Sequence, residues 1–223
     1  MIIRLMYEKD SPNGMNISYK FIEEKNQTVL ATATDNFNEY IALFFNNNTY
    51  FFPNVPKIIN KCEVNLKYPL TSNRRKTVGF PMKLNDTDYV YYYQEAAKCK
   101  KGIFGKNIGF TVFSTGINVF MLFRVGFKGE NSHYYCLYEE NTLVAIIERH
   151  NYSEDNCKAT IYVEDKNYLE IAFIACTEEL ISVPNSGGNE FSMDTSAGHY
   201  ISVLDEEKEL FDANFILRVK EKS

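Results

Sequence analysis

The amino-acid sequence predicts a mainly β fold in which a sheet curls around one buried helix. Short segments rich in aromatic and β-branched residues recur between turns of Asn, Asp, Gly and Ser, which is typical of an all-β sandwich or barrel. One later segment, Asp165 to Ser182, has helical character but is apolar around most of its circumference. A helix of this kind is buried on several sides. Strands do not alternate with long helices, which argues against a parallel α/β sheet.

The strand candidates come first along the chain. Tyr and Phe supply all of the aromatic content, which is 15% of the residues, and these side chains favour strands. In the segment ATIYVED, Ile161 and Val163 share one face of the predicted strand and Tyr162 lies on the other. Before the helix the candidates are Ile2–Met6, Ile17–Ile22, Val29–Thr34, Tyr40–Phe44, Tyr50–Phe52, Cys62–Tyr68, Thr77–Phe80, Tyr89–Gln94, Phe110–Phe113, Val119–Phe127, Tyr134–Tyr138, Leu143–Arg149 and Ala159–Val163. After the helix they are Tyr200–Leu204 and Phe215–Val219.

The helix has recognisable limits. Asp165 is a suitable N-cap and its charge suits the positive end of the helix dipole, while Pro184 would stop the helix. The unbroken apolar run from Ile171 to Cys176 is far too short to span a membrane. The remaining partner for such a helix is the sheet itself. A closed barrel around it would also remove exposed strand edges.

The order of features in the later half resembles a known superfamily. In HYYCLYEENTLVAIIERHNYSEDNCKATIYVEDKNYLEIAFIACTEEL, a Tyr-rich strand, an acidic turn and two further strands lead into the apolar helix. This order is similar to that of tubby C-terminal-like proteins, which include LURP-one-related proteins and phospholipid scramblases. The resemblance covers roughly Phe110 to Ile181 and implies a closed antiparallel barrel of about a dozen strands around a central hydrophobic helix. In that superfamily the helix lies at or near the C-terminus, whereas here we expect further strands after it.

Composition and charge restrict the class of protein. The net charge of −5 gives no reason to expect nucleic acid, because phosphate binding needs many Lys and Arg residues. No linker rich in Pro, Gly or Ser divides the chain, so we expect one domain, 1–223. We find no signal peptide, and no segment reaches the roughly 18 apolar residues of a membrane span. Five scattered cysteines without a C-x-x-C pair favour reduced thiols and therefore a cytoplasmic protein.

Two basic segments hold the candidate binding residues. In tubby-like domains a basic barrel surface binds phosphoinositide headgroups, so the resemblance implies an anionic headgroup as the ligand here. The simpler alternative is that both segments are solvated loops. The glycines before Lys106 lack the spacing and the following Ser or Thr of a P-loop. The candidate residues are Arg74, Arg75 and Lys76 in NRRKT, and Lys98, Lys100, Lys101 and Lys106 in AAKCKKGIFGKN.

The sequence predicts no catalytic residue, metal site or cofactor. It contains no G-x-S-x-G elbow, no H-E-x-x-H motif and no dinucleotide glycine fingerprint. His133, His150 and His199 lack metal-ligand spacing. Cys136 lies near His133 in sequence, but a cysteine in the middle of a strand is expected to be buried and inert.

Three hypotheses for function follow. The first is a non-enzymatic cytoplasmic binding or scaffold protein that engages anionic phospholipid or a protein partner through its outer surface. The second is an enzyme that uses a cavity beside the central helix. The third is a protein-interaction module that self-associates into a homo-oligomer through its aromatic strands.

Overall fold

The computed structural model describes residues 1–9, 16–36, 40–53, 55–99, 105–130, 132–150, 156–182 and 201–223. Strands dominate these residues, and all the helical segments follow the last strand. The strands are β1 Ile2–Lys9, β2 Asn16–Glu23, β3 Val29–Asn36, β4 Tyr40–Phe45, β5 Asn48–Phe52, β6 Lys57–Asn60, β7 Lys76–Leu84, β8 Thr87–Lys98, β9 Asn107–Ser114, β10 Val119–Gly126, β11 Ser132–Glu139, β12 Thr142–His150 and β13 Cys157–Val163. A 3-10 turn Lys166–Tyr168, helix α1 Leu169–Thr177, a π-helical turn Glu178–Ser182, helix α2 Asp205–Lys208 and helix α3 Ala213–Lys222 complete the described elements.

The strands form a closed antiparallel barrel, which confirms the predicted fold class. Neighbours in sequence pair with one another except β5 and β6, β1 pairs with β13, and β5 pairs with β7. Twelve strands therefore close the barrel, and β6 lies outside it on the edge of β7. The chain enters the lumen after β13, at the end that also carries the tight hairpin turns. We call this the proximal end, and the opposite end the distal end.

Turn chemistry fixes several of these hairpins. Asn46 and Asn47 link β4 to β5 with φ of 50° and 64°, and Asn85 and Asp86 link β7 to β8 with φ of 49° and 67°. Two successive left-handed residues are what a tight type I′ hairpin requires, and Asn and Asp tolerate that conformation. The Asn-rich composition is thus explained in part by the proximal turns.

Helix α1 occupies the lumen and is buried from Leu169 to Thr177, except that Glu170 is half-buried. The Phe173 ring lies 4.6 Å from that of Phe21 on β2 and 5.2 Å from that of Phe45 on β4, measured between centroids. Inward-facing residues of the surrounding strands join the same core cluster. The apolar circumference predicted from sequence therefore contacts the barrel on all sides.

Three predicted strands are absent from the described residues, one between β6 and β7 and two after helix α1. Cys62–Tyr68 is irregular, and the strand of that region is β6, Lys57–Asn60. Val64, Leu66 and Tyr68 alternate because this segment lies extended on the outer face of the sheet, where they pack as a strand's residues would.

The further strands expected after the helix are absent from the described residues 201–223. Phe215–Val219 lies within helix α3, where Asp212 caps the N-terminus by accepting a hydrogen bond from the Asn214 amide at 2.9 Å. Phe215 and Val219 are buried one helical turn apart against outward-facing residues such as Cys136 and Ile146. Residues 201–204 are irregular and precede α2, while Tyr200 lies outside the described residues.

Candidate functional site

At the distal end, strands β7 and β8 extend beyond the core. The rings of Phe80 and Tyr92 stack at 5.4 Å and belong to the lumenal core. Side chains alternate along a strand, so Val78 and Lys76 follow Phe80 on the inward face of β7. Gln94 and Lys98 follow Tyr92 on β8 in the same way. Val78, Lys76, Gln94 and Lys98 are all exposed, so the inward face here projects past the filled part of the lumen.

This projection brings the two predicted basic segments to one end of the barrel. The Thr71 amide donates to the Ala96 carbonyl and the Lys98 amide donates to the Pro69 carbonyl, each at 2.8 Å. The chain leading to Arg74 is thereby tied to the end of β8. The Cys99 amide donates to the Lys106 carbonyl at 3.0 Å, which places Lys106 beside the same strand end.

We call this surface the basic lip, and all of its described cations are exposed. None of them forms an ion pair within the part of the chain that the structure describes. Their charge is therefore available to a ligand. Lys100 and Lys101, the two other predicted residues, lie outside the described residues. The basic lip consists of Arg74, Arg75, Lys76, Lys98 and Lys106, with Ile58 and Val78 as its apolar part.

The apolar part of the lip is unusual because large aliphatic side chains are displayed to solvent. Ile58 on β6 and Val78 on β7 are paired directly and are 77% and 56% exposed. On the other face of the same pair of strands, Ile59 lies over Gly79 so closely that any side chain at position 79 would collide with it. The glycine lets β6 pair with β7 and so holds Ile58 beside Val78, on the part of the inward face that is exposed to solvent.

A second polar feature, the lumenal polar cluster, lies just inside the distal end. The Thr111 hydroxyl donates to Glu179 Oε1 at 2.7 Å and accepts a hydrogen bond from Gln94 Nε2 at 2.8 Å. Gln94 therefore links the cluster to the inward face of the lip. We define the cluster as Glu178 and Glu179 on the π-helical turn, Thr111 on β9, Arg124 on β10 and Arg149 on β12.

Burial dominates the electrostatics of this cluster. Burial, together with the neighbouring Glu179 carboxyl, raises the pKa of Glu178 to about 8, so Glu178 is mostly protonated at neutral pH. Burial also raises the pKa of Glu179, although the hydrogen bond from Thr111 and the charges of Arg124 and Arg149 oppose that rise. Glu178 Oε2 and the Thr177 hydroxyl are inaccessible to water and have no hydrogen-bond partner among the described residues.

Sequence reasoning missed this cluster. One signal was present in the sequence. Glu178 and Glu179 stand at the C-terminal end of the helix, where the helix dipole disfavours negative charge. Two carboxyl groups at such a position, in an otherwise apolar helix, indicate compensating partners on the surrounding sheet.

Two of the thiols are fully buried, and the described imidazoles lie beside hydroxyl groups. Cys136 and Cys176 are fully buried, and burial raises the pKa of both thiols. His133 lies within the barrel with Nε2 3.4 Å from the Tyr135 hydroxyl, and His150 Nε2 is 2.9 Å from the Thr160 hydroxyl. In the described ranges, no three His, Cys, Asp or Glu side chains group so as to hold a metal ion. His199 lies outside those ranges.

Comparison with models of protein families, with curated proteins and with solved structures finds no match to this chain. Within its described residues, no helix has the length and apolar character needed to cross a bilayer.

Proposed function

We propose that this chain is a non-enzymatic binding protein, a single tubby C-terminal-like domain that engages anionic lipid headgroups through the basic lip. The observation that carries the proposal is the meeting of two basic segments at one end of the barrel. Residues 74–76 and residues 98 and 106 are separated in sequence but are tied to the same strand end by backbone hydrogen bonds. Five exposed cations without ion pairs among the described residues suit an anionic surface.

The apolar part of the lip supports a membrane surface in preference to a free anion. Ile58 and Val78 project from the same face as Lys76, so the cations can contact headgroups while the aliphatic side chains enter the interfacial region. Each Lys or Arg near an anionic membrane contributes about 1 kcal/mol, and this contribution is screened by salt. A lip of this kind gives reversible binding that weakens as ionic strength rises.

The filled lumen supports binding at the surface over catalysis in a cavity. Helix α1 packs its apolar side chains against inward-facing residues of the whole barrel. At the distal end of the lumen, the Glu179 carboxyl accepts a hydrogen bond from the Thr111 hydroxyl and lies near the positive charges of Arg124 and Arg149. This arrangement stabilises the end of the helix.

Co-sedimentation with vesicles tests the proposal. Phosphatidylcholine vesicles with and without phosphatidylserine are mixed with the wild-type protein and with the double variant Lys98→Glu and Lys106→Glu. We expect the wild type to bind only the anionic vesicles. Reversing two of the five charges should lower its affinity by about tenfold or more, because each cation contributes about 1 kcal/mol. Ile58→Ser should also weaken binding, with less effect on its salt dependence.

Lys25→Glu is the matched control. Lys25 is exposed in the turn between β2 and β3, at the proximal end of the barrel, whereas the lip is at the distal end. It makes the same change in net charge per residue. Equal loss of binding in Lys25→Glu and in the lip variants would show a non-specific charge effect and contradict the proposal. Absence of salt-sensitive binding to anionic vesicles would favour a protein partner at the lip instead.

A further inference from the structure

We infer that the outer face of the barrel carries a second binding site, for a basic peptide segment of a partner protein. The site is a groove between the extended segment 61–70, which crosses the outer face of the sheet, and helix α2 with the residues that follow it. It goes beyond the proposed lipid binding. It uses different residues, it is acidic where the lip is basic, and it reaches the proximal end of the barrel.

The groove consists of two adjoining cavities. The larger, of about 370 Å³, lies at the proximal end, with Val64, Val119 and Met121 among its apolar residues. The smaller, of about 190 Å³, has Ile108 and Phe123 on its floor. Glu140 lines both cavities, so they adjoin at this residue. Two adjoining cavities suit an extended chain that places one side chain in each.

Carboxylates surround this apolar floor. Among the described residues that line the two cavities, Lys67 is the sole cation, against five glutamates. None of the five forms an ion pair in the described part of the chain. Glu139 accepts a hydrogen bond from the Tyr168 hydroxyl at 2.8 Å. The glutamates are Glu63, Glu139, Glu140, Glu206 and Glu209.

The rim of the groove is accessible to a cation. Glu63, Glu140 and Glu209 are exposed, and no cation among the described residues forms an ion pair with them. A Lys or Arg side chain in the groove would form charge-assisted hydrogen bonds with these carboxylates and would neutralise part of their charge.

The occupant follows from this chemistry. Charge complementarity requires a cation, and the apolar floor at Ile108 and Phe123 requires an aliphatic or aromatic side chain next to it. A lipid surface does not fit, because anionic headgroups would be repelled by the glutamates. A peptide that carries an apolar anchor beside Lys or Arg satisfies both requirements.

Fluorescence anisotropy with a labelled peptide of alternating leucine and lysine tests the site. A peptide of alternating serine and lysine keeps the charge but removes the anchor, and a peptide of alternating leucine and glutamate reverses the charge. We expect saturable binding of the leucine–lysine peptide alone. The double variant Glu140→Lys and Glu209→Lys should weaken it at least tenfold, while the control Glu24→Lys, at an exposed proximal turn, should not.

Three results would overturn the inference. They are absence of saturable binding, equal binding of the serine–lysine peptide, and equal weakening by Glu24→Lys. Circular dichroism of each variant establishes that the barrel is still folded, so that a loss of binding is not a loss of structure. Analytical ultracentrifugation adds a further outcome: self-association that Glu140→Lys abolishes would make a second copy of this chain the occupant and contradict a partner peptide.

Discussion

At the scale of single residues, Glu178 shows how tertiary structure sets the chemistry of a side chain. Its carboxyl is almost wholly buried, and the adjacent Glu179 is a second potential negative charge. Both raise its pKa to about 8 from the ordinary value of 4.5. The folded protein therefore holds a proton at pH 7 that the unfolded chain releases.

This proton makes stability depend on pH. Between about pH 4.5 and about pH 8, the folded state binds more protons at this site than the unfolded state does. The free energy of unfolding should therefore fall as pH rises through that window, by up to about 1.4 kcal/mol per pH unit from this one group. Glu178→Gln should remove that slope and raise stability at pH 8, as measured by urea unfolding at several pH values.

Glu24→Gln serves as the control for this experiment, because Glu24 is exposed. It should leave the pH dependence of the wild type unchanged. A wild-type protein whose stability is constant between pH 5 and pH 8 would contradict the burial of a protonated carboxyl at position 178.

At the scale of elements, helix α3 shows the limit of reading periodicity from sequence. In FILRV, residues 215–219, apolar side chains occur at both strand and helix spacing. A strand would place Phe215, Leu217 and Val219 on one face, whereas a helix places Phe215 and Val219 together and turns Leu217 away. The structure has the helical arrangement, with Phe215 and Val219 buried and Leu217 54% exposed. The deciding signal is the Asp212 cap, which precedes the apolar residues.

Matched truncations in α3 distinguish the two arrangements. Phe215→Ala removes a ring buried against the outer face of the barrel and should cost about 3–5 kcal/mol of the free energy of unfolding. Leu217→Ala changes an exposed side chain and should alter it by less than about 0.5 kcal/mol. Chemical denaturation of both variants provides the measurement. Similar losses at the two positions would favour a strand face and contradict the helix.

The better-predicted elements share a physical reason. Strands such as β2, β11 and β12 bury one row of side chains in the lumen, so each combines apolar alternation with a flanking turn. Helix α1 was predictable because apolar residues around its whole circumference leave no surface to face water. The segment 62–68 was predicted wrongly because a chain lying flat on a sheet also buries alternate residues.

At the scale of the whole molecule, the barrel closes at two unequal seams. β1 and β13 are joined by five residue pairs, whereas β5 and β7 share only Tyr50 with Leu84 and Phe51 with Lys83. From Gly79 to Lys76, β7 pairs with β6 instead of β5. Strand β6 carries the exposed Ile58. The weaker seam thus lies at the proximal end of β7, whereas the basic lip lies at the distal end of the same strand.

Hydrogen exchange should reveal this difference. We expect the amides that cross from β5 to β7 to exchange faster than those between β11 and β12, which share eight residue pairs, because local opening begins where fewest hydrogen bonds hold two strands together. Exchange measured by mass spectrometry on peptides covering 48–52, 80–84 and 132–150 provides the comparison. Equal protection in the three peptides would show that the barrel opens only as a unit.

The binding surfaces were only partly predictable at this scale. The basic residues of the lip could be picked out from their clustering in sequence, but their meeting depends on the pairing of residues 69–71 with β8. The acidic groove was not visible at all. Its glutamates come from three distant segments, around Glu63, Glu140 and Glu206, and a sequence without the register of the strands cannot bring them together.

The position of helix α1 behind every strand has a consequence for synthesis. During translation the strands leave the ribosome first, yet β1 can find its partner β13 only when residues 157–163 have emerged, and the lumen stays unfilled until residue 182 follows. Pairing between residues as distant as Ile2 and Tyr162 is intrinsically slow. The nascent chain must therefore keep a dozen aromatic-rich strands from associating wrongly until residue 182 has been made, because unpaired strand edges and exposed apolar side chains are prone to aggregate.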